Sequence, residues 1–407
     1  VPSDIVNNYA VWCIFCKKIL NSKYTAIVII LIISIGVYLN TLPNEFVYDD
    51  EILVLQNKWI KDIRYLPKIF FSDLWALEGS KEVFSNYYRP LLHIIYMIDY
   101  HIFGLKPWGF HLTNVIFHAG VSVLVFLIAS ILINQSHDLN FKFKIQNSKF
   151  NPEQVGTNPK SEQAVKKVSK HITCHSEQSE ESHFFKVLGP FTSFRVTTKK
   201  GFSTGYEILN PAFIAGLLFA AHPIQTETVA CVAGIAEPSF ALFYLLSFYF
   251  YINSNKRYTP LNPLSRGENK NKRWGKGFIL SVFFFFLSTL CKEPALTLPL
   301  LLLAYDYSLN RNSVYGPRFT VHSIFKRYLP YLIVSIIYFI LRIYAMGGFA
   351  PFKRHAELSN YEYFINIFPL FTKYLEKLIL PINLNAFYVF HPISSILQWK
   401  GIIALIL

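Results

Sequence analysis

Residues Tyr24 to Leu42 form an apolar run without a single charged side chain. At about 1.5 Å per helical residue, such a run crosses a hydrocarbon layer roughly 30 Å thick. A backbone in lipid must satisfy its own N–H and C=O groups, so the run predicts a spanning helix. Two later runs are too long for one crossing. The stretch 211–253 would reach about 65 Å as one helix, and 278–308 also overshoots, so each predicts a hairpin. His111 to Ile133 and Tyr328 to Met346 have the length of single crossings. The expected fold class is therefore an all-α integral membrane bundle.

Apolar residues make up 52% of the chain, which agrees with that class. The net charge of +14 raises the question of nucleic acid, but the basic residues flank apolar runs instead of forming a basic domain with interleaved aromatics. They read as a topology signal, and no nucleic-acid partner is expected. Lys17, Lys18 and Lys23 precede the first span, so the positive-inside rule puts the N-terminus in the cytoplasm and the next segment outside. The first run is longer than a signal-peptide core, and no small-residue cleavage site follows it before Pro43. Basic tracts on both sides of 211–253 put both its ends in the cytoplasm, and Arg311, Arg318, Lys326 and Arg327 do the same for 278–308.

Parity then gathers polar residues on one side of the membrane. Asp49, Asp50 and Glu51 sit in the first outer loop, His222, Glu227 and Glu237 around the first hairpin's turn, and Lys292 and Glu293 at the midpoint of the second. Ionisable groups at membrane depth are costly and usually line a cavity or pair with one another. Arg89, in Tyr87-Tyr88-Arg89-Pro90, either snorkels to headgroups or clamps a phosphate. The run Leu91 to Leu105, interrupted by His93, Asp99 and His101, is expected to be an interfacial amphipathic helix, with a buried short span as the alternative. His111, Asn114 and His118 share one helical face by their spacing. The bland reading of Lys292-Glu293 is an internal salt bridge at a helix bend.

The chain divides into an N-terminal membrane region, 1–133, with an outer loop at 43–110, a cytoplasmic insertion at 134–208 with little fixed structure, and further membrane helices over 209–407. Within the insertion, His171 to Ser203 resembles a translated intergenic repeat, so its Cys174, His171, His175 and His183 are not read as a zinc site. Cys13 and Cys16 form a lone CxxC without a second pair. The stretch 363–380, with Lys373, Glu376 and Lys377, is either a polar-faced span or an interfacial helix, and the chain stops inside the apolar run 401–407, with helices expected downstream.

The succession Phe46-Val47-Tyr48-Asp49-Asp50, Tyr88-Arg89-Pro90-Leu91, Gly109-Phe110-His111-Leu112-Thr113-Asn114, Ala221-His222-Pro223-Ile224-Gln225-Thr226-Glu227 and Lys292-Glu293-Pro294-Ala295 resembles the membrane portion of the tetratricopeptide-tailed protein O-mannosyltransferases and their bacterial relatives. The resemblance covers almost everything outside the insertion. It implies a GT-C glycosyltransferase-like bundle, a polyprenyl- or dolichyl-phosphate sugar as donor, and transfer on the outer face through an acid of the first loop. One departure stands out: relatives commonly read Gly-Arg-x-Glu where this chain has Gly234-Ile235-Ala236-Glu237, which removes a cationic contact.

The expected chemistry needs one base and some cations. A sugar leaving as a lipid phosphate requires no protonated leaving group, so the second acid of a glycosidase is dispensable. Asp50 or Asp49 would take the proton of an acceptor hydroxyl, Arg89 and Lys292 would hold the donor phosphate, and His222, Glu227, Glu237 and Glu293 would orient the sugar or those cations. Inversion would follow from the single displacement. No cofactor is obligatory. Asp49, Asp50, Glu227 and the histidines are candidate metal ligands, but without fixed spacing no divalent metal is expected. The expected partners are the bilayer, the lipid-phosphate sugar and a protein or glycan acceptor, and the expected location is a bacterial inner membrane with the site facing the periplasm. A lipid or sugar transporter and a non-catalytic membrane scaffold are the alternatives. No internal repeat supports the former.

Overall fold

The computed structural model describes residues 22–78, 86–148, 210–255, 275–311, 321–348, 359–385, 388, 391–395 and 398. The Cys13/Cys16 pair, the repeat-like segment with its cysteine and histidines, and the apolar run 401–407 lie outside the described residues. The chain forms two units. Ser22–Ile131 with Glu207–Leu407 holds the bundle and the candidate site. In the other, Val1–Asn21 with Leu132–Tyr206, the described portion is the end of one helix.

Every regular element among the described residues is helical. The longer helices are α1 (Lys23–Gly36), α2 (Pro90–Phe103), α3 (Pro107–Ser148), α4 (Pro211–Ala221), α5 (Ala236–Asn255), α6 (Lys276–Cys291), α7 (Leu298–Arg311), α8 (Val321–Met346) and α9 (Ile367–Ile379). Four stretches are long and apolar enough to cross a membrane: Lys23–Thr41, Pro107–Ser136, Val232–Ser254 and Phe325–Met346. Helix α3 runs past residue 133 to Ser148, into the segment assigned to the insertion.

Local chemistry sets the helix ends. The Ser22 hydroxyl caps α1, and the Asn210 side chain caps α4 by accepting from the Ala212 N–H, with Pro211 at the first helical position where its missing N–H costs nothing. Helix α6 stops at Lys292, whose backbone is extended (φ −159°, ψ 144°). Pro294 lacks the N–H that would continue it.

Side-chain pairs fix how α5 to α8 run. Ser288 lies against Phe240, Ser247 and Ser281 exchange hydroxyl–carbonyl bonds of 2.7 Å, and Gly277 meets Ser254, so α5 and α6 are antiparallel. Tyr244 and Thr297 meet at 3.2 Å and Tyr251 donates to Asp306 at 2.6 Å, so α7 runs with α5 and closes a hairpin with α6. Arg327 reaches Asp306 at 2.6 Å and Arg342 reaches Glu293 at 2.8 Å, so α8 runs back along α7. The crossings use small hydroxyl residues, which allow close approach while satisfying polar groups between helices. The bundle thus has a Lys292 end and an Asp306 end. Its interior is apolar and aromatic, including Phe248, Tyr251, Phe285, Leu302 and Tyr331, while Leu332, Ile336 and Ile340 of α8 are exposed, as helices facing lipid require.

Helix α2 buries two polar residues among the apolar Leu92, Ile95, Tyr96 and Met97 of its inner face. His93 and Asp99 are buried, whereas Ile98 and Ile102 are exposed. Its inner face packs on Leu53, Trp59 and Ile60 of the loop after α1 and on Val232 and Ile235 of the turn before α5. Helix α9 buries none of its residues and follows directly on the short helix Asn360–Ile365, and the stretch is not among those long and apolar enough to cross a membrane.

Candidate functional site

The loop after α1 turns sharply at Tyr48, a non-glycine residue in the left-handed region (φ 51°). Such strain persists where surrounding contacts over-determine the backbone. Here it separates the two aspartates: Asp49 is exposed and Asp50 is fully buried. The Asp50 carboxylate accepts from the Ala233 N–H at 2.7 Å and from the Val47 N–H at 3.1 Å, with the Cys231 thiol at 4.0 Å. Burial pushes this carboxyl up from its ordinary value, opposed by those two N–H donors and by nearby His111. Asp50 therefore ties the loop to the turn between α4 and α5.

That turn is assembled from α3. Asn114 donates to the Cys231 carbonyl at 2.6 Å, and His118 bonds the Ala220 carbonyl at 3.1 Å while lying edge-on to Tyr38. The shared face of His111, Asn114 and His118 is buried; Asn114 holds the turn and His118 the end of α4, while both ring nitrogens of His111 are buried without a hydrogen-bond partner. Gly234 allows the turn to close, since a Cβ there would run into the Thr228 carbonyl oxygen.

Two residues past Ile235, the turn presents Glu237, which pairs with Lys292 from the end of α6. Glu293 faces two arginines. Arg342 of α8 lies at 2.8 Å and Arg89, just before α2, at 3.6 Å. Lys292 and Glu293 thus do form ion pairs at the helix break, as the bland reading has it, but with partners from other elements instead of with each other. Arg342 also donates to the Asn86 carbonyl at 2.8 Å and to the Tyr338 hydroxyl at 3.1 Å. Arg89 lies over the Tyr87 ring at 4.4 Å and is only 14% exposed, so it does not snorkel away. Its Nε is buried without a hydrogen-bond partner. Three cations (Arg89, Lys292, Arg342) and two carboxylates (Glu237, Glu293) form these linked pairs, a surplus of one positive charge.

The structure therefore brings Asp50, Arg89, Glu237, Lys292 and Glu293 to one end of the bundle. Two of the expected site residues serve elsewhere. The Nδ1 of His222 accepts from the Ile224 N–H at 3.2 Å, which leaves Nε2 as the donor to the Leu378 carbonyl at 3.0 Å, so His222 anchors α9. Glu227 is exposed on the short helix Thr226–Ala230 and makes no ion pair among the described residues. Arg342 joins the site without having been expected there. Its signal in the sequence is its place near the end of a span that parity puts on the Lys292 side. Among the described residues, no three His, Cys, Asp or Glu side chains are grouped to hold a metal ion.

No family model matches the chain, and no solved structure matches it. Curated proteins do. Protein O-mannosyl-transferase TMTC3 of Mus musculus is 26% identical over 69% of this chain and 21% of its own length. Protein O-mannosyl-transferase TMTC2 of Homo sapiens is 26% identical over 78% of this chain and 29% of its own length. Protein O-mannosyl-transferase Tmtc1 of Drosophila melanogaster is 25% identical over 65% and 20%. The chain spans under a third of the length of these relatives. Over most of its own length, it is similar to protein O-mannosyl-transferases that carry TMTC names.

Proposed function

We propose that this protein is a membrane glycosyltransferase that moves a sugar, mannose first among candidates, from a polyprenyl- or dolichyl-phosphate donor to a Ser or Thr hydroxyl of a protein on the non-cytoplasmic face. The observation that carries the reading is the meeting of Arg89, Lys292 and Arg342 at the bundle end to which Asp50 ties the carboxylate-bearing loop. The surplus positive charge there matches the single negative charge of a lipid phosphodiester. The buried, unpartnered Nε of Arg89 is a ready donor to a phosphate oxygen.

In this reading Asp49, the exposed carboxylate, takes the acceptor's proton, and Asp50 is a positioning residue that fixes the loop. The acceptor oxygen attacks the anomeric carbon as the bond from that carbon to the phosphate oxygen breaks. The electron pair leaves with the lipid phosphate, the proton goes to the aspartate, and the configuration inverts. Arg89, Arg342 and Lys292 steady the charge that grows on the departing phosphate, while Glu237 and Glu293 hold those cations in place. Facing of the site away from the cytoplasm follows from the basic segments near the Asp306 end. A bacterial inner membrane with a periplasmic site fits the same orientation.

The test is to incubate the purified protein with a panel of polyprenyl-phosphate monosaccharides and a Ser/Thr-rich peptide, and to follow lipid-phosphate release and glycopeptide by mass spectrometry. The expected result is coupled appearance of both products with the mannosyl donor. Saturable donor binding without release of lipid phosphate from any donor would overturn the enzymatic reading and identify a scaffold.

A further inference from the structure

A glycine corner joins α2 to α3. Gly104 takes φ 66° and ψ −145°, a backbone conformation that side chains beyond hydrogen rarely allow. Two contacts close the corner. Phe103 lies edge-on to Trp108 with ring centroids 5.0 Å apart, and the Asp99 carboxyl accepts from the Thr113 hydroxyl at 2.7 Å. Asp99 is 4% exposed, and that hydroxyl is its one hydrogen-bond partner among the described residues. It makes no ion pair there either. The polar groups of the surrounding elements are engaged elsewhere. On α2 itself His93 meets Asn57 and the exposed His101 bonds the Met97 carbonyl. From the first loop Lys61 donates to the Leu55 carbonyl, Asp62 pairs with Arg64, and Lys68 lies over the Trp59 ring. On α3 His111 neighbours Asp50, on α6 Lys292 pairs with Glu237, and Lys106 of the corner is exposed. Tyr96, one turn back along α2, lies within electrostatic reach of both Asp99 and Asp50.

A buried carboxyl with a single hydroxyl partner is tolerated while neutral and drawn toward water once charged. Burial pushes Asp99 up to about 7, against the pull of the Thr113 hydroxyl. The far end of α2 carries a site cation. Arg89 lies fifteen residues, about 22 Å, from Gly104, so a tilt of about 10° about that corner moves it by about 4 Å. Such a movement breaks the approach of Arg89 to Glu293, now 3.6 Å. We propose that Asp99 is a latch on α2: protonated, it holds the helix against α3 and Arg89 in the site, and its ionisation lets α2 tilt about Gly104 and withdraws Arg89. The consequence for sugar transfer rests on the transferase reading above, whereas the latch itself does not. Linkage sets the window. A solvated aspartate ionises at 3.8, so the latch is at full strength below about 4, weakens roughly tenfold per pH unit up to about 7, and levels off above that.

The experiment uses the full chain in nanodiscs, and follows hydrogen exchange of residues 90–99 and transfer from polyprenyl-phosphate mannose from about pH 5 to about pH 8. Exchange is corrected for its intrinsic pH dependence. Wild-type protection should fall about tenfold or more over this range, and transfer should fall with it. Asp99→Asn stays neutral throughout, so both readouts should be flat and both should exceed the wild type at about pH 8. A merely structural aspartate predicts a variant no better than the wild type at any pH. Thr113→Val removes the hydroxyl that favours the charged form, so the fall should extend to higher pH, and it repeats the test should Asp99→Asn fail to give monodisperse protein. Protection that does not change with pH in the wild type, an equal fall in Asp99→Asn, or lost protection with unchanged transfer overturns the proposal. Absence of transfer at every pH removes the transferase reading alone, and the latch then stands or falls on the exchange difference between wild type and Asp99→Asn.

Discussion

The two adjacent aspartates offer a sharp test, because the left-handed turn at Tyr48 gives them different surroundings. Asp49 is exposed, so Asp49→Asn should change stability by no more than about 0.5 kcal/mol. As the base, its loss should slow sugar transfer by about a hundredfold to ten-thousandfold. Asp50 is buried and uses its two oxygens on two different N–H groups, those of Ala233 and Val47. Asparagine supplies one acceptor oxygen, so one backbone N–H would face an NH₂ group. Hydrogen bonds to a charged partner contribute about 1.5–3 kcal/mol, and a stranded buried donor costs a similar amount. Burial already disfavours the Asp50 charge, which the amide relieves, so the net loss should sit near about 2 kcal/mol. The assay compares transfer from polyprenyl-phosphate mannose with thermal unfolding in detergent for each variant. Asp49→Asn should be stable and inactive, and Asp50→Asn should melt several degrees lower, with faster hydrogen exchange in residues 45–55. If Asp49→Asn transfers at the wild-type rate while Asp50→Asn is inactive with an unchanged melt, the buried carboxylate is the base and the proposed division of roles is wrong.

Three further outcomes follow from buried groups. Burial raises Asp99 on α2 from 3.8 to about 7, with the Thr113 hydroxyl bond pulling the other way. For a raised carboxyl, the stabilisation is complete below the unfolded value and is lost as pH rises through the folded one. The melting temperature should therefore fall as pH rises from about 4 to about 7 and level off above that, a fall of at most roughly 4 kcal/mol, and Asp99→Asn should flatten that slope. Asp306 is 3% exposed and one of its oxygens accepts from Tyr251, Tyr328 and Arg327, so Asp306→Asn should cost about 3 kcal/mol in unfolding experiments. Because it sits at the opposite end of the bundle, the protein that remains folded should keep its transfer rate. Gly234→Ala should destabilise by about 1–3 kcal/mol and lower transfer, because the Thr228 carbonyl occupies the space of the new methyl and the displaced turn carries the N–H that holds Asp50. Exchange protection of the Ala233 amide would report it directly.

Run length read four stretches long and apolar enough to cross, whereas Pro211–Ala221 and Lys276–Cys291, each expected as one leg of a hairpin, are shorter apolar helices. The breaks near residue 222 and at Lys292 fall where those runs exceed a bilayer, and the α5–α8 register places Lys292, Glu293 and Arg342 together as parity requires. The pairing of charges was not legible, because it depends on dihedral angles. Lys292 is extended, so its side chain and that of Glu293 leave the backbone on opposite sides and find Glu237 and the two arginines respectively. Asp49 and Asp50 are equivalent in composition, and only the folded loop distinguishes them, by burying Asp50 against the Ala233 and Val47 N–H groups and leaving Asp49 exposed. His222 reads as a site residue for the same reason that it makes a good anchor: a polar ring at a helix break will satisfy whichever carbonyl is near, here that of Leu378.

The same reasoning bears on Ile235, which stands where relatives commonly carry arginine. Ile235 is 1% exposed and packs within the cluster of Leu53, Trp59, Leu92 and Val232. Its side chain belongs to the floor under the turn, not to the row of charges above it. An arginine in this position would have to be buried among those apolar groups or pull the turn outward, and an unpaired buried charge costs several kcal/mol. With isoleucine at this position, the ion pairs at this end of the bundle are all still made. Glu237 still has Lys292, and Glu293 still has Arg89 and Arg342. With three cations against two carboxylates, the linked set keeps its single positive surplus without a contribution from residue 235. What Ile235 secures is the docking of the turn on α2 and the first loop, and hence the placement of the Ala233 N–H that holds Asp50.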